Sequence, residues 1–183
     1  MNTRFRWFNV YLLLAIILSA CATDGAKGKK NGRTKEEKKE LAAIRFHLES
    51  FPDGTGHNGP VLVMQQKINV DREPFLSEAD IVDAAVVENV GGFGVQIFFD
   101  SHGAMLLDMT TTSNKGKRIV VLTQYPNPKP QKQFSRWVAA PMITKRVANG
   151  VLAFTPDLSR EEANRIVRGL KNVVLKAQKA SRF

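Results

Sequence analysis

The sequence predicts an α+β fold, an antiparallel-rich sheet with two main helices packed on it, and three observations carry that prediction. Phe93, Val95, Ile97 and Phe99 alternate with Gly94, Gln96 and Phe98, the period of a strand with one face on a core. Asp100-Ser101-His102-Gly103 breaks the run, Met105 and Met109 follow one helical turn apart with Thr112 continuing the line, and Asn114-Lys115-Gly116 tolerates the left-handed backbone of a helix end before a strand at 118–123. Ser159 and Glu162 form a capping box, after which Ala163, Ile166, Val167, Leu170, Val173, Val174 and Ala177 recur at helical spacing. The two helices are placed near 104–113 and 159–177.

The front of the chain predicts export. Arg4 and Arg6 precede an apolar run, Val10 to Leu18, shorter than the roughly 20 residues of a membrane-spanning helix, so residues 1–20 read as a secretory leader. Leu18-Ser19-Ala20-Cys21 at its end resembles the lipobox of bacterial lipoproteins, in which the cysteine receives diacylglycerol. Cys21 is the sole cysteine, which leaves packing alone to hold the domain. Because each buried methylene contributes about 0.8 kcal/mol, a multiply acylated Cys21 would be a lasting anchor. Residues 21–40 are rich in Lys, Gly and Glu and almost free of apolar side chains, a flexible basic tether with a coil span of about 25 Å.

The folded domain is read as 41–178, followed by a disordered basic tail over 179–183. Ile44 to Ser50 is a first strand, and Pro52 to Pro60 is a loop of glycine, proline and Asx residues. Val61 to Val70 reads as one second strand. Ser77 caps a short helix whose first turn carries Glu78 and Asp80, Ile81 and Val82 return to the core, and 84–89 is a strand joined through Val90-Gly91-Gly92 to the next as a hairpin. Three prolines at alternate positions, 126, 128 and 130, make 124–132 an exposed loop. Phe134 to Ala140 resumes a strand, 143–147 continues it beyond Pro141, and Asn149-Gly150 signals a tight turn into the strand 151–154.

The net charge of +10 invites a nucleic-acid reading, but export argues against it, and no aromatics interleave with Lys or Arg as a stacking platform needs. Basic ends lying against anionic headgroups explain the charge better. Gly91-Gly92-Phe93-Gly94 runs into a strand rather than a helix, unlike a phosphate loop. Asp53-Gly54-Thr55-Gly56 is turn chemistry, and Asp100-Ser101-His102 a strand end and helix cap, since adjacent residues cannot converge as a triad. His47, His57 and His102 lack metal-ligand spacing. Neither catalytic residues, a cofactor nor a metal is expected. Met105, Leu106, Leu107 and Met109 read as core filler rather than a groove lining.

Four collinear stretches resemble the head subdomain of the first periplasmic domain of SecD, a membrane-embedded subunit of the protein-export machinery. They are Leu76-x-x-Ala79-Asp80-Ile81 with Ala84; Gly94 to Phe99 with Gly103; Thr111-x-x-Asn114-x-Gly116 with Ile119-Val120-Val121; and Ala140-Pro141-Met142-Ile143 with Gly150 and Glu162-Ala163-Asn164. The resemblance spans roughly 75–172. Pro156 stands where SecD has glycine, and the Pro-rich loop from Tyr125 to Pro130 where SecD has a tight acidic turn. Neither the base subdomain's signature nor SecD's transmembrane helices are read, so the resemblance implies a non-catalytic head and not a motor.

The resulting expectation is an envelope lipoprotein, lipid-anchored through Cys21 and facing the periplasm or exterior. It would bind an unfolded or secreted polypeptide or Sec components, and no nucleic acid. The alternative is a structural or ligand-binding lipoprotein unrelated to export, since fold does not fix function. The candidate partner surface is Tyr125, Lys129, Lys132, Phe134 and Trp137: rigid aromatic area and positive charge around a pre-extended proline-rich loop.

Overall fold

The computed structural model describes residues 40–54, 56–126 and 133–180. The leader, Cys21, the tether up to residue 39, the loop positions 127–132 with Lys129 and Lys132, and the last three residues lie outside them. The elements run β1 (Ala43–Leu48), β2 (Asn58–Val63), β3 (Gln66–Asp71), β4 (Leu76–Ser77), a single 3-10 turn (Glu78–Asp80), β5 (Ile81–Asn89), β6 (Gly92–Phe99), α1 (Ser101–Ser113), β7 (Ile119–Pro126), β8 (Gln133–Ala139), β9 (Val151–Phe154) and α2 (Arg160–Ala180).

Every strand pairing is antiparallel, as expected, but the strands divide into three sheets: β4-β1-β7-β8, β2-β3 and β5-β6-β9. One core lies between the four- and three-stranded sheets. Ile44 and Phe46 of β1 and Val121 and Tyr125 of β7 enter it from one side, Val95, Ile97, Leu152 and Phe154 from the other. The amphipathic stripe of α2 closes it through Ala163, Ile166, Val167 and Leu170. The capping box forms as read: Glu162 N–H donates to Ser159 Oγ at 3.2 Å, and Ser159 N–H to Glu162 Oε2 at 2.9 Å. Ser77 and Asp80 build a second capping box around the 3-10 turn. At the domain's start, Asn172 Nδ2 donates to the Glu40 carbonyl at 2.9 Å and Arg168 reaches the Glu40 carboxylate at 3.2 Å.

Six local expectations are corrected. The run 61–70 is a hairpin, with Val63 opposite Gln66 and a two-residue turn at Met64 (φ 47°) and Gln65 (φ 65°). The apolar alternation continues through the turn, and neither turn residue is the glycine or asparagine that normally marks positive φ. The hairpin lies on the outer face of the four-stranded sheet, where Val63, Ile68, Val70 and Val120 form a second small core with Trp137 against it.

Val82 is exposed while Ile81 is buried, because β5 shifts register between Ile81 and Asp83 and a one-residue shift reverses the face. On α1 the buried line is Gly103, Leu107 and Thr111, and Met105 and Met109 are exposed. Thr111 decides the face: its hydroxyl donates to the Leu107 carbonyl at 2.8 Å and accepts from Val147 N–H at 2.9 Å, tying α1 to the 141–150 segment.

That segment holds the next two corrections. Residues 143–147 form no strand, and only an isolated bridge between Arg118 and Met142 remains of the pairing. Asn149-Gly150 is no hairpin turn either, because β8 and β9 belong to different sheets. Gly150 has φ 66° and sits so close to α1 that a Cβ there would lie 2.8 Å from Ala104 Cβ. Finally, β7 continues to Pro126, opposite Gln133, so the first three residues of the expected loop are strand.

Candidate functional site

The aromatic surface expected around the Pro-rich loop is split by the pleat. Tyr125 is 3% exposed and points into the main core, its hydroxyl donating to Glu162 Oε1 at 2.8 Å. Burial first, and then the bond to Glu162, push the phenol up to about 12. Phe134, opposite Tyr125 in the register, stacks on it at 6.4 Å and is half-exposed. Trp137 lies an odd number of residues further on and faces the hairpin, edge-on to His47 at 5.0 Å. The structure therefore brings Tyr125 and Phe134 together and sends Trp137 to the opposite face.

Asp80, Asp100 and His102 converge, with one ligand atom from each within 4.8 Å of the others. The sequence had linked only the last two. All three serve as joints: Asp80 Oδ2 accepts from Ser77 N–H at 2.9 Å, Asp80 Oδ1 lies 3.1 Å from His102 Nδ1, and Asp100 Oδ1 accepts from Gly103 N–H at 2.7 Å. This ties the 3-10 turn to the start of α1.

The feature that sequence reasoning missed is the outer edge of β9. This strand pairs with β6 on one side and, among the described residues, with nothing on the other. Phe99 N–H donates to the Gly150 carbonyl directly opposite it at 2.9 Å. The antiparallel alternation then turns the polar backbone of Leu152 and Phe154 toward β6 and that of Val151 and Ala153 away. Asn149 Oδ1 takes the Val151 N–H at 3.2 Å, leaving the Val151 carbonyl and both groups of Ala153 on the open edge.

A cavity of about 550 Å³ runs beside this edge, between β9 and the irregular 141–149 segment, with Gln96, Met142, Lys145, Arg146 and Ala153 among its walls. Met142 is half-exposed. Arg146 leaves the groove to grip Asp108 of α1 in a bidentate pair at 2.5 and 2.7 Å, and that hydrogen bond holds the carboxyl below the usual aspartate range. Asp108 stands between Met105 and Met109 in sequence, and both methionines are exposed on α1. Only the absence of a credible partner strand for 151–154 could have signalled the open edge, and the Asn149-Gly150 turn signal concealed it.

Comparison with known proteins decides the family. The model of the SecDF P1 head subdomain matches residues 57–177. The chain belongs to the SecDF P1 head family. Among solved structures, one described as a membrane component SecDF that enhances protein export shares the fold at TM-score 0.51 and 19% identity, over 78% of this chain and 70% of that one. A crystal structure of SecDF in a super-membrane-facing form matches at TM-score 0.51 and 20% identity, over 77% of this chain. The chain spans only 21% of that second protein's length. A direct comparison with curated protein sequences gives no match. As a SecDF head, the chain carries a protein-export-related domain in which, among the described residues, no helix is long and apolar enough to cross a membrane.

Proposed function

We propose that this SecDF-type head holds an extended stretch of unfolded polypeptide as an added strand along β9, and so assists protein export from a lipid anchor at Cys21. The observation that carries the reading is the open edge of β9 beside an apolar and cationic groove. An extended chain satisfies its own backbone on such an edge whatever its sequence, and the walls reward apolar side chains at alternate positions. Four residues offer about 13 Å of edge, enough for a weak, reversible grip rather than a tight complex. The reading asks binding of the domain, not covalent chemistry. Membership of the SecDF head family supports export as the setting.

The decisive experiment is Ala153→Pro. The Ala153 N–H faces the open side, so proline there removes an edge donor without removing a bond to β6, and edge strands accept proline. The variant is expected to melt cooperatively yet bind an unfolded secretory protein several-fold more weakly. Unchanged affinity in a folded variant would remove β9 from the mechanism.

A further inference from the structure

A second cavity, of about 380 Å³, lies on the opposite face of the four-stranded sheet, in the wedge left where the β2-β3 hairpin leans on it. Leu122 and Trp137 line it from the sheet, Val61 and Val70 from the hairpin, and Arg45 and Arg72 also line it. Both arginines are exposed, and neither forms an ion pair or side-chain hydrogen bond among the described residues. Elsewhere in the domain Arg136, Arg146, Arg160 and Arg168 are each paired with an acid.

His47 supplies an independent observation. It is 5% exposed and lines the same cavity. Its Nδ1 lies 2.8 Å from the Asp71 carbonyl, which can only accept, so Nδ1 carries the hydrogen and Nε2 a lone pair. Nε2 is fully buried and has no hydrogen-bond partner. Burial, with the charge of Arg45 adding to it, keeps the ring below the ordinary histidine range although the Asp71 carbonyl pulls the other way. The charged groups around it are Arg45 on β1 and Asp71 and Arg72 at the end of the hairpin; β7 and β8 face it with the apolar Val120, Leu122 and Trp137. A buried acceptor without a donor is destabilising unless something arrives to satisfy it.

The wedge therefore offers two free guanidinium groups and an apolar, partly aromatic lining, with the unpartnered His47 Nε2 buried in its wall. A ligand that fits carries a monoanionic carboxylate, an adjacent N–H donor and an apolar side chain, which is the chemistry of an N-acylated α-amino acid. We propose that this cavity receives the carboxyl terminus of a polypeptide, the terminal carboxylate on Arg45 and Arg72, its amide N–H on His47 Nε2, and its last side chain against Trp137 and Leu122. The choice of a chain end over a free acyl amino acid rests on the polypeptide reading above, whereas the site itself is separate from β9. A phosphate dianion fits less well, because the apolar lining would strip its hydration without replacing it.

The test uses the full-length chain and a ten-residue peptide ending in a free phenylalanine, beside the same peptide with its terminus amidated and N-acetylphenylalanine alone. Calorimetry is expected to show the free-acid peptide bound at least tenfold more tightly than the amide. That preference should vanish in the Arg45→Gln/Arg72→Gln double variant and persist in Ala153→Pro, so the two sites fail separately. Equal binding of acid and amide by the wild type, which involves no variant, would overturn the proposal. So would a preference that survives in the folded double variant. Binding of N-acetylphenylalanine without binding of the peptide would overturn the chain-end assignment.

Discussion

Gly169 of α2 rests directly on Ala42: a Cβ built on this glycine would stand 2.7 Å from the alanine Cβ and 2.8 Å from its backbone nitrogen. The contact is with backbone, so the helix cannot make room by turning a side chain. Alanine favours a helix interior over glycine by about 1 kcal/mol. Overpacking against the backbone that leads into β1 costs about 1–3 kcal/mol and outweighs it. Gly169→Ala is therefore expected to lower stability, where propensity alone predicts a gain, and a urea melt reads the sign.

Leu170, the next residue, is 1% exposed in the same core. Leu170→Ala should cost about 2–5 kcal/mol by leaving a cavity that the strands around it cannot collapse to fill. A loss below about 0.5 kcal/mol would mean that α2 is not docked as described.

The Tyr125–Glu162 bond makes stability depend on pH at both ends. The Tyr125 phenol titrates at about 12 in the folded chain against an ordinary 10, so its contribution is complete below pH 10 and is lost as pH rises toward 12. For Glu162, burial raises the carboxyl, but hydrogen bonds from Ser159 and Tyr125 outweigh it and set the value below the ordinary one. Its contribution is present above about pH 4.5 and fades as the pH falls through the lowered value. Tyr125→Phe should flatten the alkaline limb and weaken the acidic one, measured by chemical melts across pH.

Met64 and Gln65 hold positive φ without being glycine or asparagine. Met64→Asn with Gln65→Gly supplies the residues that a two-residue hairpin turn favours, and should raise stability by about 1 kcal/mol. A fall would show that the exposed Met64 contributes packing worth more than the strain it carries.

The same turn shows where the sequence was legible and where it was not. The Ser159–Glu162 capping box, the cap at Ser77, the stripe of α2 and the strand 92–99 could be read because each rests on interactions within a few residues. The edge of β9 could not, because whether a strand has one neighbour or two depends on which sheet its flanking segments join. Val82 and the methionines of α1 failed for a related reason: a bulge and a threonine bonded across the fold chose the buried face over local apolarity. Of the expected partner surface, Tyr125 is buried rather than exposed, because strand parity turns it to the face away from Trp137, and that parity is readable only once β7 is known to reach Pro126.

Cys21→Ser tests the anchor. If Cys21 is acylated, the wild-type chain takes up a labelled fatty acid and sediments with membranes, and the variant does neither. A mature wild-type chain without label would refute the lipobox reading.

The Pro-rich loop can be removed almost without disturbing its strands. Pro126 and Gln133 are register partners, so replacing 127–132 by Asn-Gly joins them through a two-residue turn matched to antiparallel twist. Such a variant should melt cooperatively, with Tyr125 and Phe134 still stacked. If polypeptide is held at β9, its affinity for an unfolded secretory protein stays within about twofold of wild type at low and moderate salt. If Lys129 and Lys132 contribute instead, affinity drops at low salt and the difference shrinks as salt screens it. That salt-dependent loss would return the binding site to the loop, where the composition of the sequence first placed it.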